Sequence, residues 1–463
     1  VLRRARLFLL AFVLAVGGTL AVLAFTGEDA PPSFGPVTVD PGEPDPFAYD
    51  PAREDEFVER AAAGHSHVLY AKSPGGVAAT ARRVERWRPQ VEEAAGVADV
   101  DPDVLEGMVF LESAGNPAAR ASDDLEGAVG LTQILAGTAT DLLGMRVDVE
   151  ESRRVARRIA RRGPTERLLR RRREVDERFD PRKALEGAGL YLKLAGERYG
   201  REDLAVVSYH MGMGNLDSVL AAYGQDDPSW AQVYFDATPR SHPSTYRLLA
   251  GFGDDSATYL WRVYAAREIM RLHREDGQEL RRLARLQTAK ASAEEVLHPR
   301  AETDVFESPD ELDEAYLSGQ LRPFAGVRGM QLDPQAGELA ARLDAERRLY
   351  RGLRPEALEL AVYLAAGVRD VARTKASLIA TSTVRDLEYQ RLLVRRNPFA
   401  TREYSLHTTG FAFDVRRKYA SRAQAVAFQY MLDRLQSLNL IAWVREPGAI
   451  HITASSEGGE LVQ

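Results

Sequence analysis

Cysteine is absent from all 463 residues. That excludes disulfide frameworks, thiolate metal sites and cysteine nucleophiles together. An excess of positive charge is also missing. Lys and Arg number 61 against 68 Asp and Glu, a net charge of −7 with a pI near 5.8. The bulk balance gives no reason to expect a nucleic-acid binder. No internal repeat is visible. With 45% hydrophobic and 28% charged residues, the chain is neither wholly disordered nor collagen-like. Its length suits two or three domains of roughly 150 residues. Long uncharged runs are scarce, and the one that stands out lies near the beginning.

Arg3, Arg4 and Arg6 precede an uncharged stretch from Leu7 to Thr26. As a helix it reaches about 30 Å, the thickness of a bilayer core. Its basic flank would stay cytoplasmic and send the rest across the cytoplasmic membrane. Residues 1–27 are therefore expected to be a signal-anchor, or a signal peptide cleaved near Val22-Leu23-Ala24. Residues 28–80 open with seven prolines between Glu28 and Pro51 and read as an extracytoplasmic spacer. His65 and His67, without a third ligand nearby, are expected in a surface loop.

Residues 81–275 have helical period nearly throughout and predict an all-α domain. Val104, Leu105, Met108 and Val109 mark one helix, started by Asp101-Pro102 and ending at Glu112. Leu185 to Tyr199 and Leu204 to Leu220 continue the pattern. An insertion at 146–178 holds 13 arginines against 7 acidic residues, expected as a solvated, salt-bridged helical face, the alternative being a patch that engages polyanions such as wall polymers or lipid headgroups. Residues 276–349 form a charged, partly helical linker, although Gln335–Leu353 has the period of an amphipathic helix. From 350 to 455 the texture is α+β, with a second helix at Pro355–Arg373 and another at Ser421–Leu438. Strand composition appears at Ser377–Thr383, Phe411–Val415, Leu440–Val444 and Ile450–Ala454. Residues 456–463 are a tail. The fold class expected is multidomain: a membrane anchor, an all-α domain, then a small α+β domain.

Glu112 closes its helix just before Ser113-Ala114-Gly115-Asn116-Pro117. A carboxyl at such a helix end, against apolar walls, is placed to have its pKa raised, as a general acid requires. Glu112 through Pro117, Gly127-Ala128-Val129-Gly130-Leu131-Thr132-Gln133-Ile134, Ser208-Tyr209-His210-Met211-Gly212 and Ala257-Thr258-Tyr259-Leu260 follow in order. Phe179-Asp180-Pro181, Leu185-Glu186-Gly187 and Tyr191-Leu192 lie between the second and third groups. Together they resemble the lytic transglycosylases with the goose-lysozyme-like fold. The resemblance implies cleavage, without cofactor, of the β-1,4 bond between N-acetylmuramic acid and N-acetylglucosamine in peptidoglycan. Glu112 would protonate the glycosidic oxygen and then act as base while the C6 hydroxyl closes a 1,6-anhydro ring. Ser113 would orient Glu112, Gln133 would bond the sugar, and Tyr209 and Tyr259 would position acid and ring. Two positions depart from the family: Thr132 replaces a methionine, and His210 replaces an asparagine with a group whose charge depends on pH. Asp123, Asp124 and Glu126 read as loop or groove residues.

A second pattern, Ser405-x-His407-x-x-Gly410-x-Ala412-x-Asp414, is followed by His451 on the terminal strand segment. Two imidazoles and a carboxylate with an open fourth position suit a catalytic zinc ion. The pattern resembles the D-alanyl-D-alanine carboxypeptidase and hedgehog-type metallopeptidases, and Ser382-x-x-Arg385-x-x-x-x-Gln390 matches an upstream segment of that family. The resemblance implies Zn2+ held by His407, Asp414 and His451, with Arg385 binding substrate in a D,D- or L,D-peptidase. The family's glutamate three residues before the last histidine is Gly448 here, which leaves Glu446 as the candidate base. His242, His273 and His298 are expected at the surface.

The expected whole is an exported peptidoglycan-remodelling enzyme at the extracytoplasmic face of the cytoplasmic membrane, or secreted if cleaved. It would act on glycan strands and cut or grip stem peptides. The alternative is a non-catalytic wall-binding scaffold built from enzyme-derived domains.

Overall fold

The computed structural model describes residue 45 and residues 47–458 except 291, 398 and 399. The segment 7–26, expected as an anchor, lies outside the described residues. Among those described, no helix is long and apolar enough to cross a membrane. The spacer does not extend to residue 80. Helices Glu54–Gly64 and His67–Lys72 already form within it. Glu54, Asp55 and Glu56 favour the N-terminal end of the first dipole, and Phe57 and Ala61, one turn apart, are buried. His65 and His67 are not in a free loop either. The His65 Nε2 lies 3.0 Å from the Ser437 hydroxyl and the His67 Nδ1 lies 3.0 Å from Gln287 Oε1.

The helix Pro102–Ser113 runs through the middle of the all-α part, packed on Tyr259–Glu275. Asp101 caps it by accepting from the Asp103 amide, and Pro102 starts it. Gly107 lets the two helices approach, because a Cβ there would sit 2.8 Å from the Val263 carbonyl oxygen. Around this pair are Arg88–Ala98, Pro181–Tyr199 and Glu202–Met211. The helical stretch expected over 204–220 is broken at Gly212, whose φ of 84° starts a new helix at Met213. The basic insertion is a hairpin of two helices, Val149–Arg162 and Glu166–Val175. Its arginines meet carboxylates on the hairpin and on the adjoining loop, as in Arg153 with Asp124 at 3.0 Å and Arg154 with Glu151 at 2.7 Å.

The second half is built on strands β1 Arg322–Pro323, β2 Met330–Leu332, β3 Gly352–Leu353, β4 Leu378–Ser382, β5 Ala412–Arg416, β6 Ile441–Arg445 and β7 Ala449–Ala454. The main sheet has the order β2-β4-β5-β7-β6, antiparallel except for β2 with β4. Helices Pro355–Val371 and Arg422–Ser437 pack together beside it. Ser421 caps the second by accepting from the Gln424 amide.

The linker boundary at 276–349 is too generous. Strand β2 belongs to the main sheet, and Phe306, Leu312 and Leu321 share a core with Tyr350 and Val384. The helix expected at Gln335–Leu353 is instead two short 3-10 turns, Ala340–Arg342 and Arg347–Tyr350. Gly337 and Asp344 have positive φ, which interrupts the helical path that the apolar spacing would allow.

Candidate active site and candidate metal centre

Glu112 is the next-to-last residue of its helix, and the turn beyond it is fixed by main-chain geometry. Ala114 and Gly115 have φ of 52° and 74°. A Cβ on Gly115 would come within 2.8 Å of the Arg83 main chain. Arg83 and Trp87 donate to the carbonyls of Ala114 and Gly115 at 3.1 and 2.9 Å. The Glu112 carboxyl therefore sits at a rigid end rather than a fraying one.

The Tyr259 hydroxyl donates to Glu112 Oε1 at 2.6 Å. Burial pushes the Glu112 carboxyl up to about 7. The Tyr259 hydrogen bond works against that rise and the nearby Asp255 charge adds to it. A half-buried carboxyl held near neutrality is what proton donation at physiological pH requires. Tyr259 is itself buried, so its hydroxyl is held far from ionisation by desolvation and by Glu112.

Ser113, expected to orient Glu112, turns its hydroxyl back to the Val109 carbonyl at 3.2 Å. The orienting bond comes from Tyr259. Tyr209 donates to the Thr132 carbonyl at 2.7 Å and meets Tyr191 edge-on at 5.1 Å. It thereby ties the loop 127–134 to the helix that carries His210. Thr132 replaces methionine without an orphan group, because its hydroxyl donates to the Ala184 carbonyl at 3.1 Å.

Gln133 has φ of 52° and donates from Nε2 to the Gly130 carbonyl at 2.8 Å. The loop is also held from below by Arg178, which is fully buried. Arg178 donates to the carbonyls of Leu125, Gly127 and Ile134 and pairs with Asp176 at 2.9 Å. Removing one partner of such a buried pair costs about 3–5 kcal/mol. Gly130 is required there, since a Cβ would fall 1.9 Å from the Arg178 carbonyl oxygen.

His210 stacks on Tyr259 with ring centroids 5.0 Å apart. Its Nδ1 is 3.0 Å from the Ser256 hydroxyl and its Nε2 is 3.4 Å from Asp255 Oδ1. The sequence did not single out Asp255, although it lies four residues before Tyr259. Arg262 also bonds it. Asp123, Asp124 and Glu126 are held by Arg120 and Arg153 at 3.0–3.9 Å, as loop residues.

The second constellation is assembled by strand register. Asp414 on β5 pairs with His451 on β7 on one side and with Ser382 on β4 on the other. His407 comes from a 3-10 turn, Leu406–Thr409, that ends at Gly410. Gly410 has φ of 81°, and a Cβ there would lie 3.1 Å from Arg354 and Leu321 side chains. Ala412 is fully buried between Tyr404 and Leu406. These contacts account for the fixed Gly and Ala of the motif.

One atom each from His407, Asp414 and His451 fall within 4.8 Å of one another. His407 Nε2 is 3.2 Å from Asp414 Oδ2, and His451 Nδ1 is 2.8 Å from Asp414 Oδ1. The other ring nitrogens face acceptors: His407 Nδ1 lies 2.8 Å from the Thr383 carbonyl, and His451 Nε2 lies 2.6 Å from Glu294 Oε1. Inward nitrogens beside a carboxylate, with outward N–H groups held by acceptors, form the arrangement that metal-ligating histidines adopt. The donor set therefore fits a zinc ion.

Electrostatics accompany this geometry. Burial and Arg385 push His407 down to about 4. Burial would also lower His451, but Glu294 and Asp414 outweigh it and push it up to about 10. Arg385 is held by Ser382 at 2.7 Å and Gln390 at 3.0 Å, and reaches Asp414 at 3.4 Å. The three spaced residues of the upstream pattern thus meet in space.

Glu446 lies at the β6–β7 turn, and its carboxyl is raised by partial desolvation and by the charge of Asp414. A Cβ on Gly448 meets nothing within 4 Å. His298 is not a surface residue: it is buried, stacked on Phe411 at 3.9 Å, and 2.6 Å from the Ala454 carbonyl. A cleft of about 920 Å³ between the helical part and β6, lined in part by Tyr264, Arg267 and Trp443, contains neither Glu112 nor His407.

Comparison with known proteins bears on the first site. Residues 90–230 match the model of the Transglycosylase SLT domain family. Two similar proteins, each described as an endo-type membrane-bound lytic murein transglycosylase A, come from two strains of Klebsiella pneumoniae. Each is 25% identical over 214 residues, covering 43% of this chain and 90% of the relative.

Proposed function

We propose, from an SLT transglycosylase domain over residues 90–230, that the chain is a lytic transglycosylase acting on peptidoglycan in the cell envelope. The observation that carries the reading is the Glu112 carboxyl, raised to about 7 and hydrogen-bonded by Tyr259 at 2.6 Å. Glu112 donates its proton to the glycosidic oxygen as the bond to C1 of the muramoyl residue breaks. The carboxylate then accepts the proton of the C6 hydroxyl as that oxygen closes on C1. Each step leaves Glu112 ready for the other, and no water is consumed. Tyr259 holds the carboxyl in place, Gln133 and Ser113 line the loop and helix end beside it, and Tyr209 with His210 borders the substrate.

An acid must be protonated to act, so kcat/KM falls as pH rises through about 7, the value to which burial lifts Glu112. The Tyr259 bond favours the carboxylate. In Tyr259→Phe that preference is gone, and the alkaline limb moves to higher pH. Soluble fragments released from purified peptidoglycan at a series of pH values measure both. A limb that stays put or moves down in Tyr259→Phe would refute the role given to that hydroxyl.

The sheet domain, on this reading, holds zinc through His407, Asp414 and His451 and takes stem peptides. Bound there, zinc would supply a Lewis acid able to activate water and polarise an amide carbonyl. Arg385, fixed by Ser382 and Gln390, presents its guanidinium toward the same place to hold a carboxylate or an amide oxygen. Glu446 is the residue to accept a proton there. Gly448, where the resembled family has glutamate, favours a second reading in which the domain grips stem peptides without cutting them. Residues 7–26, as an anchor, would keep both domains at the membrane.

A further inference from the structure

The stretch between the two domains contributes a residue that no motif contains. Glu294 opens a one-turn helix, Glu294–Leu297, in the segment expected as a linker. It is 2% exposed, and a carboxylate so buried persists only with strong partners. Its Oε1 lies 2.6 Å from His451 Nε2 and accepts from the Thr453 hydroxyl at 2.9 Å. The segment is fastened at its far end as well. His298 lies on the Ala454 carbonyl and on the Phe411 ring, and the Tyr404 hydroxyl donates to the His298 carbonyl at 3.0 Å. The carboxylate is thus delivered to the side chains of His451 and Thr453 on β7 by a strap pinned to the sheet.

We propose that Glu294 is a positioning residue for the metal centre: by accepting the Nε2 hydrogen of His451 it fixes the tautomer and ring orientation that point Nδ1 at Asp414 and His407. The two ring nitrogens face nearly opposite ways. A carboxylate on Nε2 therefore stands behind the imidazole and is neither a fourth ligand nor the base. His407 has the same arrangement, with the Thr383 carbonyl in the place of Glu294. The two histidines differ in that one acceptor is a carboxylate carried by the inter-domain segment. A sheet domain cut at residue 350 would lack it, so the metal site belongs to the joined chain. This inference rests on the reading of His407, Asp414 and His451 as zinc ligands.

The test is the zinc dissociation constant of the full chain, measured by competition with a chromogenic chelator. Loss of an outer acceptor of this kind typically weakens metal binding about 10–100-fold. E294A is expected to fall in that range. E294Q, whose amide oxygen still accepts from Nε2, should lose less. Affinity in E294A equal to or tighter than wild type would overturn the proposal, as would an equal loss in both variants. If E294A fails to fold, nitrogen-15 NMR of histidine-labelled, zinc-loaded wild type decides. A proton on Nε2 of His451 is expected, and one on Nδ1 overturns it. Wild type that binds no zinc at all would instead refute the metal reading, an outcome separate from these.

Discussion

Glu112→Gln is expected to lower the release of soluble fragments from peptidoglycan by about 10²–10⁴-fold, the usual worth of a positioned proton donor. Gln keeps the size and can still accept from the Tyr259 hydroxyl, so the contact at 2.6 Å need not be lost. It cannot give up a proton to the leaving oxygen. The variant should also fold at least as well as wild type. Burial raises the native pKa of Glu112 above its unfolded value, so the wild-type fold loses stability as pH rises from the unfolded value through about 7. Gln carries no charge to desolvate and escapes that loss. A melting temperature at pH 8 equal to or above that of wild type, together with the lost turnover, separates chemistry from folding. Wild-type turnover in the variant would end the assignment of Glu112 as the acid.

His407→Ala is expected to abolish zinc binding by the sheet domain. Elemental analysis of the full chain should find about one zinc in wild type and none in the variant, since three protein ligands are close to the minimum for a tight site. His407, Asp414 and His451 come from the turn Leu406–Thr409 and from β5 and β7. Metal that ties them together should raise the melting temperature of wild type and leave that of His407→Ala unchanged. Zinc retained by His407→Ala, or a wild-type melting temperature indifferent to zinc, would contradict the site.

Much of the backbone of both candidate sites was legible because their motifs include residues that fix the path of the chain. Gly115, Gly130 and Gly410 sit where a Cβ would meet main chain or packed side chains at 1.9–3.1 Å. Their motifs are local, and local patterns survive in a linear reading. Asp414 and His451 could be paired because each lies in a short apolar run that became a strand, and antiparallel register did the rest.

The misses share a different cause. Glu294 and Asp255 meet partners across the fold, Glu294 meeting His451 157 positions later in the chain, and nothing in a charged or turn-rich stretch marks which carboxylate will be buried. The resemblance implies that Ser113 orients Glu112, but a hydroxyl near a helix end finds the carbonyl one turn back, here that of Val109. The helix expected at 335–353 had the right apolar spacing and failed on backbone grounds, at Gly337 and Asp344. Spacing reports which face is buried and not whether the chain stays helical between the apolar residues.

In the proposed mechanism one carboxyl serves as acid and then as base in a cleavage that uses no water. Mass spectrometry of the fragments that the full chain releases from purified peptidoglycan reads this directly. Ring closure by the C6 hydroxyl predicts muramoyl ends in the 1,6-anhydro form, lighter by one water than the hydrolysed product. Reducing muramoyl ends in their place would show that water is the nucleophile and would contradict the mechanism.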